Sequence, residues 1–338
     1  MDRANGSATA DTPSGSELFE PTASRIGFGC AGIMQSASGR HRQRLLAEAF
    51  EQGIRHFDVA RMYGLGAAER ELGQLARGRR EEITIATKFG IEPGGAAGRL
   101  GRLQAPARAV VARFPALRQA LKRHADTFHQ PHRYDQATAR TSLQTSLREL
   151  DTEYVDILFI HGPAPADELA MPELEETLEE LRQAGLLRAW GLAGEADPCI
   201  ALSRAVERPV RLQIRDDILD PTLPLLDPGQ PAITFGVLSR ALRSILSHVY
   251  GRAERRSSWN RAVGEDCGRP EVVASLLLQD ALARNPAGTV LFSTTRPERV
   301  SVATVAAESL SREPDPGPLR AFRELVSREL TPKVPVHG

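Results

Sequence analysis

The sequence predicts an α/β fold: a closed (β/α)8 (TIM) barrel with long loops on its C-terminal face. Apolar strand-like runs alternate with helical runs about eight times along the 338 residues. The strand-like runs are almost continuously apolar, as expected for parallel strands buried on both faces. A doubly wound sheet is the alternative, but no Gly-x-Gly-x-x-Gly motif follows the first strand-like run.

The eight predicted strands occupy, in chain order, residues 25–29, 54–58, 83–88, 155–161, 187–193, 210–215, 232–238 and 289–293. The predicted helices occupy 42–53, 67–78, 137–151, 172–185, a short stretch after the fifth strand, 270–288, 297–310 and 317–330. Helix-spaced apolar residues indicate these helices, and Gly53 and Gly185 are expected to end the first and fourth of them. Pro172 suits the first turn of a helix, where no amide hydrogen is needed.

Residues 1–24 are polar and rich in small side chains, which predicts a disordered tail before a single domain at 25–330. Two connections, 89–135 and 239–270, exceed the usual loop length, and in a barrel both would lie at the C-terminal rim. The first is strongly basic: Arg99, Arg102, Arg108, Arg113, Arg118, Lys122, Arg123 and Arg133. It is either a solvated basic loop or a lid that contacts an anion.

The composition is that of a soluble globular protein, with 41% hydrophobic and 25% charged residues and zero formal net charge. Nothing in it points to nucleic acid or an anionic membrane as a partner, and no apolar run is long enough to span a membrane.

Cys30, Cys199 and Cys267 are far apart, which argues for a reducing compartment, hence the cytoplasm. No metal site is expected, even near His124, His129 and His132, and a monomer is the default.

Ionisable side chains end three consecutive predicted strands. Asp58 ends the second, Lys88 the third and His161 the fourth, and Tyr63 follows Asp58 by five residues. Only three of the 43 lysine and arginine residues are lysines, and Lys88 is one of them. A lysine here, where the rest of the chain almost always has arginine, therefore needs an explanation. Taken alone, Asp58 could be a turn or cap residue, His161 a buried core histidine and Tyr63 an amphipathic side chain that only fills space. Together, at strand ends that converge on one barrel face, they predict an active site.

The segments 53–75, 83–90, 151–163, 178–194, 212–213 and 295–300 resemble, in order, motifs of the aldo-keto reductase superfamily. The resemblance implies a catalytic tetrad of Asp58, Tyr63, Lys88 and His161. Reduction of a carbonyl by a nicotinamide hydride requires a proton donor, which would be Tyr63. Lys88, held by Asp58, would lower the pKa of Tyr63, and His161 would hydrogen-bond the substrate oxygen.

The resemblance also implies a cofactor site for NADP(H). Gln213 would bind the nicotinamide carboxamide, Phe235 would stack on the ring, and Leu238 would contribute to the same site. Ala193 and Gly194 stand where the family has a Ser-Asn pair. The adenosine-phosphate motif would comprise Ser293, Thr294, Thr295 and Arg299, with Arg299 pairing a 2′-phosphate.

These features predict an NADP(H)-dependent oxidoreductase that acts on a small or medium carbonyl or alcohol, with an anionic substrate suggested by the basic loop. Two alternatives remain open. Because Ala193 and Gly194 provide no polar side chains for the nicotinamide carboxamide, the tetrad could instead perform cofactor-independent proton transfer, as in a dehydratase or isomerase. The resemblance also leaves open a cofactor-sensing regulatory subunit.

Overall fold

The structure, a computed structural model, describes residues 24–36, 38–92, 132–163, 171–227, 229–312 and 317–330. Eight parallel strands follow one another around a closed barrel, and β8 pairs with β1 to complete it. The strands are β1 (Ile26–Gly29), β2 (His56–Asp58), β3 (Thr84–Phe89), β4 (Val155–His161), β5 (Leu187–Gly194), β6 (Arg211–Arg215), β7 (Ile233–Phe235) and β8 (Thr289–Phe292). The predicted barrel is confirmed.

The helices of the described residues cover the outside of the barrel. They are α1 (Gly39–Glu51), α2 (Ala67–Ala76), α3 (Gln136–Leu150), α4 (Met171–Gln183), α5 (Ala196–Ala205), α6 (Ala241–Tyr250), α7 (Ala253–Val263), α8 (Pro270–Arg284), α9 (Val300–Arg312) and α10 (Gly317–Glu329). The expected apolar face of α1 is buried, and Gly53 and Gly185 adopt positive φ angles where α1 and α4 end. Glycine adopts this backbone conformation without steric cost.

Hydrophobic side chains form two regions of core. The larger region lies between the strands and the surrounding helices. The smaller one consists of alternating strand residues and contains Ala86, Ile157, Phe159, Ala193, Ile233 and Leu291. Since side chains alternate along a strand, one set of strand residues fills the barrel and the other set anchors the helices.

The connection 239–270 is not the long loop that the sequence suggested. It contains α6 and α7, and only two residues of α7, Trp259 and Val263, are buried. The Trp259 ring contacts Phe322 of α10 edge to face, and its indole Nε1 donates to Glu329. Helix α7 carries too few apolar residues to show a clear periodicity in the sequence, so its helical character was missed.

The connection 89–135 is described only at its two ends. The amide of Arg133 donates to the carbonyl oxygen of Gly90 at 3.0 Å, and Tyr134 packs against Gly90. Residues 93–131, which form most of the basic loop, lie outside the described residues, and so do residues 1–23 of the tail predicted at 1–24. Among the helices that are described, none is long and apolar enough to cross a membrane.

Candidate active site

The four predicted catalytic side chains meet at the C-terminal end of the barrel. Asp58, Lys88 and His161 end β2, β3 and β4, and Tyr63 lies in the turn that connects β2 to α2. All four line one cavity of about 370 Å³. The strand ends therefore converge as the sequence predicted.

Lys88 and Asp58 form a buried ion pair at the base of this cavity. Lys88 Nζ donates to Asp58 Oδ1 at 2.5 Å and to the carbonyl oxygen of Val59 at 2.9 Å. Lys88 is 2% and Asp58 3% exposed. Burial raises the pKa of the Asp58 carboxyl, while the Lys88 charge and hydrogen bonds from Lys88 and Gln213 act in the opposite direction. The pair thus places two mutually compensating charges inside the barrel.

Tyr63 begins a tight turn, and this turn fixes where the phenol lies. Gly64, Leu65 and Gly66 all have positive φ angles, between 58° and 85°. A Cβ atom at Gly64 would lie 2.3 Å from Cγ of Met34, so only glycine fits there. A left-handed Leu65 is uncommon for a non-glycine residue, and strain of this kind is often found at functional sites.

A buried ionic network holds the same turn against β3. The carboxylate of Glu69 pairs with Arg61 and accepts a hydrogen bond from Thr87 Oγ1 at 2.8 Å. The Arg61 guanidinium also reaches Glu92, at 3.6 Å. Since Arg61 lies between Asp58 and Tyr63, and Thr87 precedes Lys88, the network ties together the segments that carry three of the four side chains.

The electrostatic setting of Tyr63 differs from the expectation that Lys88 lowers its pKa. Burial raises the pKa of the Tyr63 hydroxyl well above its usual value, and the negative charge of Asp58 raises it further. Lys88 Nζ lies 5.3 Å from the ring centroid and is engaged by Asp58, so its charge is largely compensated. The expected lowering is therefore wrong. At neutral pH, Tyr63 keeps its proton.

His161 is held as a neutral ring. Burial lowers the pKa of its imidazole to about 3, with a further contribution from the Lys88 charge. The hydroxyl of Tyr134 donates to the carbonyl oxygens of His161 and Gly162, both at 2.8 Å, and so fixes the end of β4. A neutral imidazole offers one N–H donor and one acceptor nitrogen.

The opposite wall of the cavity contains the residues predicted to hold nicotinamide. Gln213, Phe235 and Leu238 line it, together with Ala193 and Gly194. Oε1 of Gln213 is buried and has no hydrogen-bond partner among the described residues. A buried acceptor without a partner is costly, and the amide hydrogens of a carboxamide would satisfy it. The wall therefore fits a nicotinamide ring, although Ala193 and Gly194 offer no polar side chains.

The predicted phosphate-binding residues are only partly at the cavity. Ser293 lines it, and its hydroxyl donates to the carbonyl oxygen of Gly29 at 2.6 Å. Thr294, Thr295 and Arg299 do not line it. Arg299 is exposed immediately before α9. The structure does not bring Thr294, Thr295 and Arg299 to the tetrad.

Arg215, which the sequence reasoning missed, lines the cavity beside Phe235. It follows Gln213 by two residues on β6, and side chains two apart on a strand lie on the same face. That spacing is the signal that could have identified it.

The first comparison with known proteins concerns the family. The sequence profile described as the Aldo/keto reductase family matches residues 25–207, just over half of the chain. The chain therefore belongs to the aldo/keto reductase family.

Curated relatives show moderate identity. The chain is 28% identical over 192 residues to a D-threo-aldose 1-dehydrogenase from a Pseudomonas species, covering 54% of this chain and 52% of the relative. It is 31% identical over 175 residues to a 6-dehydroglucose reductase from Agrobacterium fabrum, covering 50% of each. The chain thus spans about half the length of these curated relatives.

Solved structures extend the fold similarity to nearly the whole chain. An aldo-keto reductase from Bacillus halodurans, in its holo form, superposes with a TM-score of 0.67 at 22% identity, covering 92% of this chain and 94% of that one. An aldo-keto reductase from Klebsiella pneumoniae in complex with NADPH gives 0.59 at 19% identity, covering 92% and 93%. At this level of identity the likeness concerns the fold.

Proposed function

We propose that the protein is an NADP(H)-dependent carbonyl reductase or alcohol dehydrogenase. The observation that carries the proposal is the meeting of a protonated Tyr63, a neutral His161 and the Lys88–Asp58 pair at one cavity wall, opposite a wall that fits nicotinamide. Membership of the aldo/keto reductase family supports the same reaction class.

When bound, NADP(H) would supply the hydride that adds to the carbonyl carbon. Negative charge then develops on the carbonyl oxygen, and Tyr63 donates its hydroxyl proton to that oxygen. His161 donates its N–H to the same oxygen, which orients the substrate and stabilises the developing charge. The phenolate left on Tyr63 lies beside the Lys88–Asp58 pair, which holds together the ends of the strands that carry the site. In the reverse direction, the phenolate accepts the alcohol proton.

Within the cofactor site, Gln213 would accept hydrogen bonds from the carboxamide, and Phe235 would stack on the nicotinamide ring. Leu238 would pack beside the cofactor. Ser293, Thr294, Thr295 and Arg299 would bind its phosphates, with the exposed Arg299 guanidinium reading a 2′-phosphate. The NADPH held by the Klebsiella pneumoniae structure supports NADP(H) as the cofactor.

The substrate would be a small or medium carbonyl or alcohol, since the cavity of about 370 Å³ must hold the nicotinamide as well. The basic segment at 99–133 suggests an anionic substrate. A KM that rises strongly with salt would support this suggestion, because salt screens attraction between charges. A KM that is the same at low and high salt would contradict it.

A second candidate function is cofactor-independent proton transfer around Tyr63 and His161. The absence of polar side chains at Ala193 and Gly194 favours it, because each missing hydrogen bond weakens cofactor affinity by about 1 kcal/mol. A purely regulatory cofactor sensor is the weaker alternative, since a sensor needs no proton donor.

Titration of the purified protein with NADPH and, separately, NADH separates these functions. Micromolar binding of NADPH, much tighter than that of NADH, is the expected result and would support both the reductase and the role of Arg299. A carbonyl substrate screen with NADPH would then follow. Failure of both cofactors to bind up to millimolar concentration would contradict the proposal and favour proton transfer.

A further inference from the structure

Arg215 occupies a defined place on the nicotinamide side of the cavity. It ends β6 and lies opposite Phe235 in the β6–β7 pairing. Its guanidinium carbon lies 5.1 Å from the centroid of the Phe235 ring. Its Nε donates to the two carboxylate oxygens of Glu195 at 2.9 and 3.2 Å. An aromatic face and an ion pair therefore both fix the guanidinium.

The backbone next to Phe235 leaves room for this guanidinium. Gly236 has a φ of 89°, and a Cβ atom there would lie 3.0 Å from Nη1 of Arg215 and 3.3 Å from its Cγ. A residue with a side chain would be strained at this φ and would crowd Arg215, which would have to shift by a few tenths of an ångström. The glycine at the start of the turn after β7 thus leaves the space that the Arg215 side chain occupies.

The charges at the cavity do not cancel. Among the described lining residues, Asp58, Lys88 and Arg215 are charged at neutral pH. Asp58 and Lys88 neutralise one another, which leaves the charge of Arg215. Its partner, Glu195, does not line the cavity and has a side chain that is 64% exposed. The Arg215 side chain is 41% exposed, but its guanidinium borders the cavity and the carboxylate of Glu195 does not, so the positive end of the pair lies on the Phe235 side of the cavity.

We propose that Arg215 makes the site discriminate between the two redox states of the cofactor, in favour of the reduced one. This inference rests on the proposed function. The nicotinamide ring is neutral in NADPH and carries a positive charge in NADP⁺. A fixed guanidinium beside the ring that would stack on it repels only the oxidised form. Arg215 thereby favours binding of the reduced cofactor and release of the oxidised one.

The test is calorimetric titration of NADPH and NADP⁺ into the wild-type protein and three variants. In Arg215→Gln, the ratio of the NADP⁺ Kd to the NADPH Kd should fall about three- to tenfold, after the Coulomb repulsion is discounted for the opposing Glu195 charge. In Glu195→Gln the ratio should rise, because the guanidinium loses its counter-charge. Arg215→Lys should keep the ratio close to that of the wild type.

Opposite changes of the Kd ratio in Arg215→Gln and Glu195→Gln would establish a charge effect. If Arg215 only packed against its neighbours, the ratio would change in the same direction in both variants or in neither. An equal loss of affinity for both cofactor forms in Arg215→Gln would overturn the inference and leave the proposed function intact. Absence of binding of either form to the wild-type protein would overturn both. Thermal unfolding of each variant confirms that the titrated protein is folded.

Discussion

The rings of Tyr63 and His161 meet edge to face, at 87° and with their centroids 6.2 Å apart. Each ring carries a polar hydrogen at neutral pH, because burial raises the pKa of the phenol and lowers that of the imidazole. The pair can therefore offer two neutral donors to one substrate oxygen, and its roles can be tested separately.

Removal of the Tyr63 hydroxyl should abolish proton donation without removing the cofactor wall. In Tyr63→Phe, we expect kcat for carbonyl reduction to fall by about two to four powers of ten, the usual contribution of general acid catalysis. The Kd for NADPH should stay within about twofold of the wild type. Steady-state kinetics and cofactor titration measure the two quantities. Unchanged kcat would rule out Tyr63 as the acid.

The pKa values predict a flat pH profile for reduction. His161 is already neutral above about pH 3, and the raised pKa of Tyr63 keeps the phenol protonated past its ordinary value near 10. We expect kcat/KM to be nearly constant from about pH 5 to about pH 9. An inflection near about pH 6.5, the ordinary pKa of histidine, would contradict the neutral state assigned to His161.

The Lys88–Asp58 pair should not tolerate a change of cation. Lys88→Arg retains the charge, but a planar, bulkier guanidinium cannot occupy a fully buried ammonium site without displacing Asp58. Most of the activity should be lost, as measured by kcat. Arg80→Lys, at a pair with Asp156 away from the cavity, is a matched control that should retain activity. Turnover close to wild type in Lys88→Arg would show that any cation suffices.

In the ionic network around the Tyr63 turn, Glu69 should contribute far more to the free energy of unfolding than Glu92. Glu69→Gln leaves the buried Arg61 without its main partner, which typically destabilises a protein by about 3–5 kcal/mol. Glu92→Gln removes a longer contact to a side chain that is 25% exposed. Its cost should be about 1 kcal/mol or less. Denaturant unfolding of both variants measures the difference, and equal effects would refute the ranking.

Glu329 should make stability depend on acid pH. Its carboxylate accepts hydrogen bonds from His248 and Trp259, both at 3.0 Å. Burial opposes the shift, but these bonds and Arg328 lower the pKa from 4.5 to about 2. A lowered pKa stabilises the fold fully above 4.5, and this stabilisation is lost as pH falls towards 2.

The matching measurement compares the thermal midpoint of the wild type with that of Glu329→Gln. The wild type should be the more stable at neutral pH, and the gap should close as pH falls through this window. A gap that is independent of pH would show that the carboxylate charge contributes nothing to stability.

The barrel and the meeting of the tetrad were predictable from the sequence because both follow from strand order. Apolar runs specify the strands, and parallel closure brings Asp58, Lys88 and His161 to one face without any knowledge of side-chain packing. The pKa of Tyr63 was not predictable. Its direction depends on how deeply the ring is buried and on Asp58 compensating the Lys88 charge, both of which are three-dimensional properties.

Two other features were missed for related reasons. Helix α7 is stabilised mainly by Trp259 packing against α10, which is remote in sequence, so it has no local apolar periodicity. Arg215 belongs to no chemical motif. Its place at the cavity wall depends on contacts with Gly236 and Glu195, which are about 20 residues away in the sequence and on other elements.

The hydrogen bond between Arg133 and Gly90 means that the chain departs from the barrel and returns to it at the same point. This bond holds the two ends of the connection together, and lengthening a closed loop costs only about 0.6 kcal/mol per doubling. A change in chain length between residues 90 and 133 should therefore cost little stability and leave the end of β3 and the start of α3 in place.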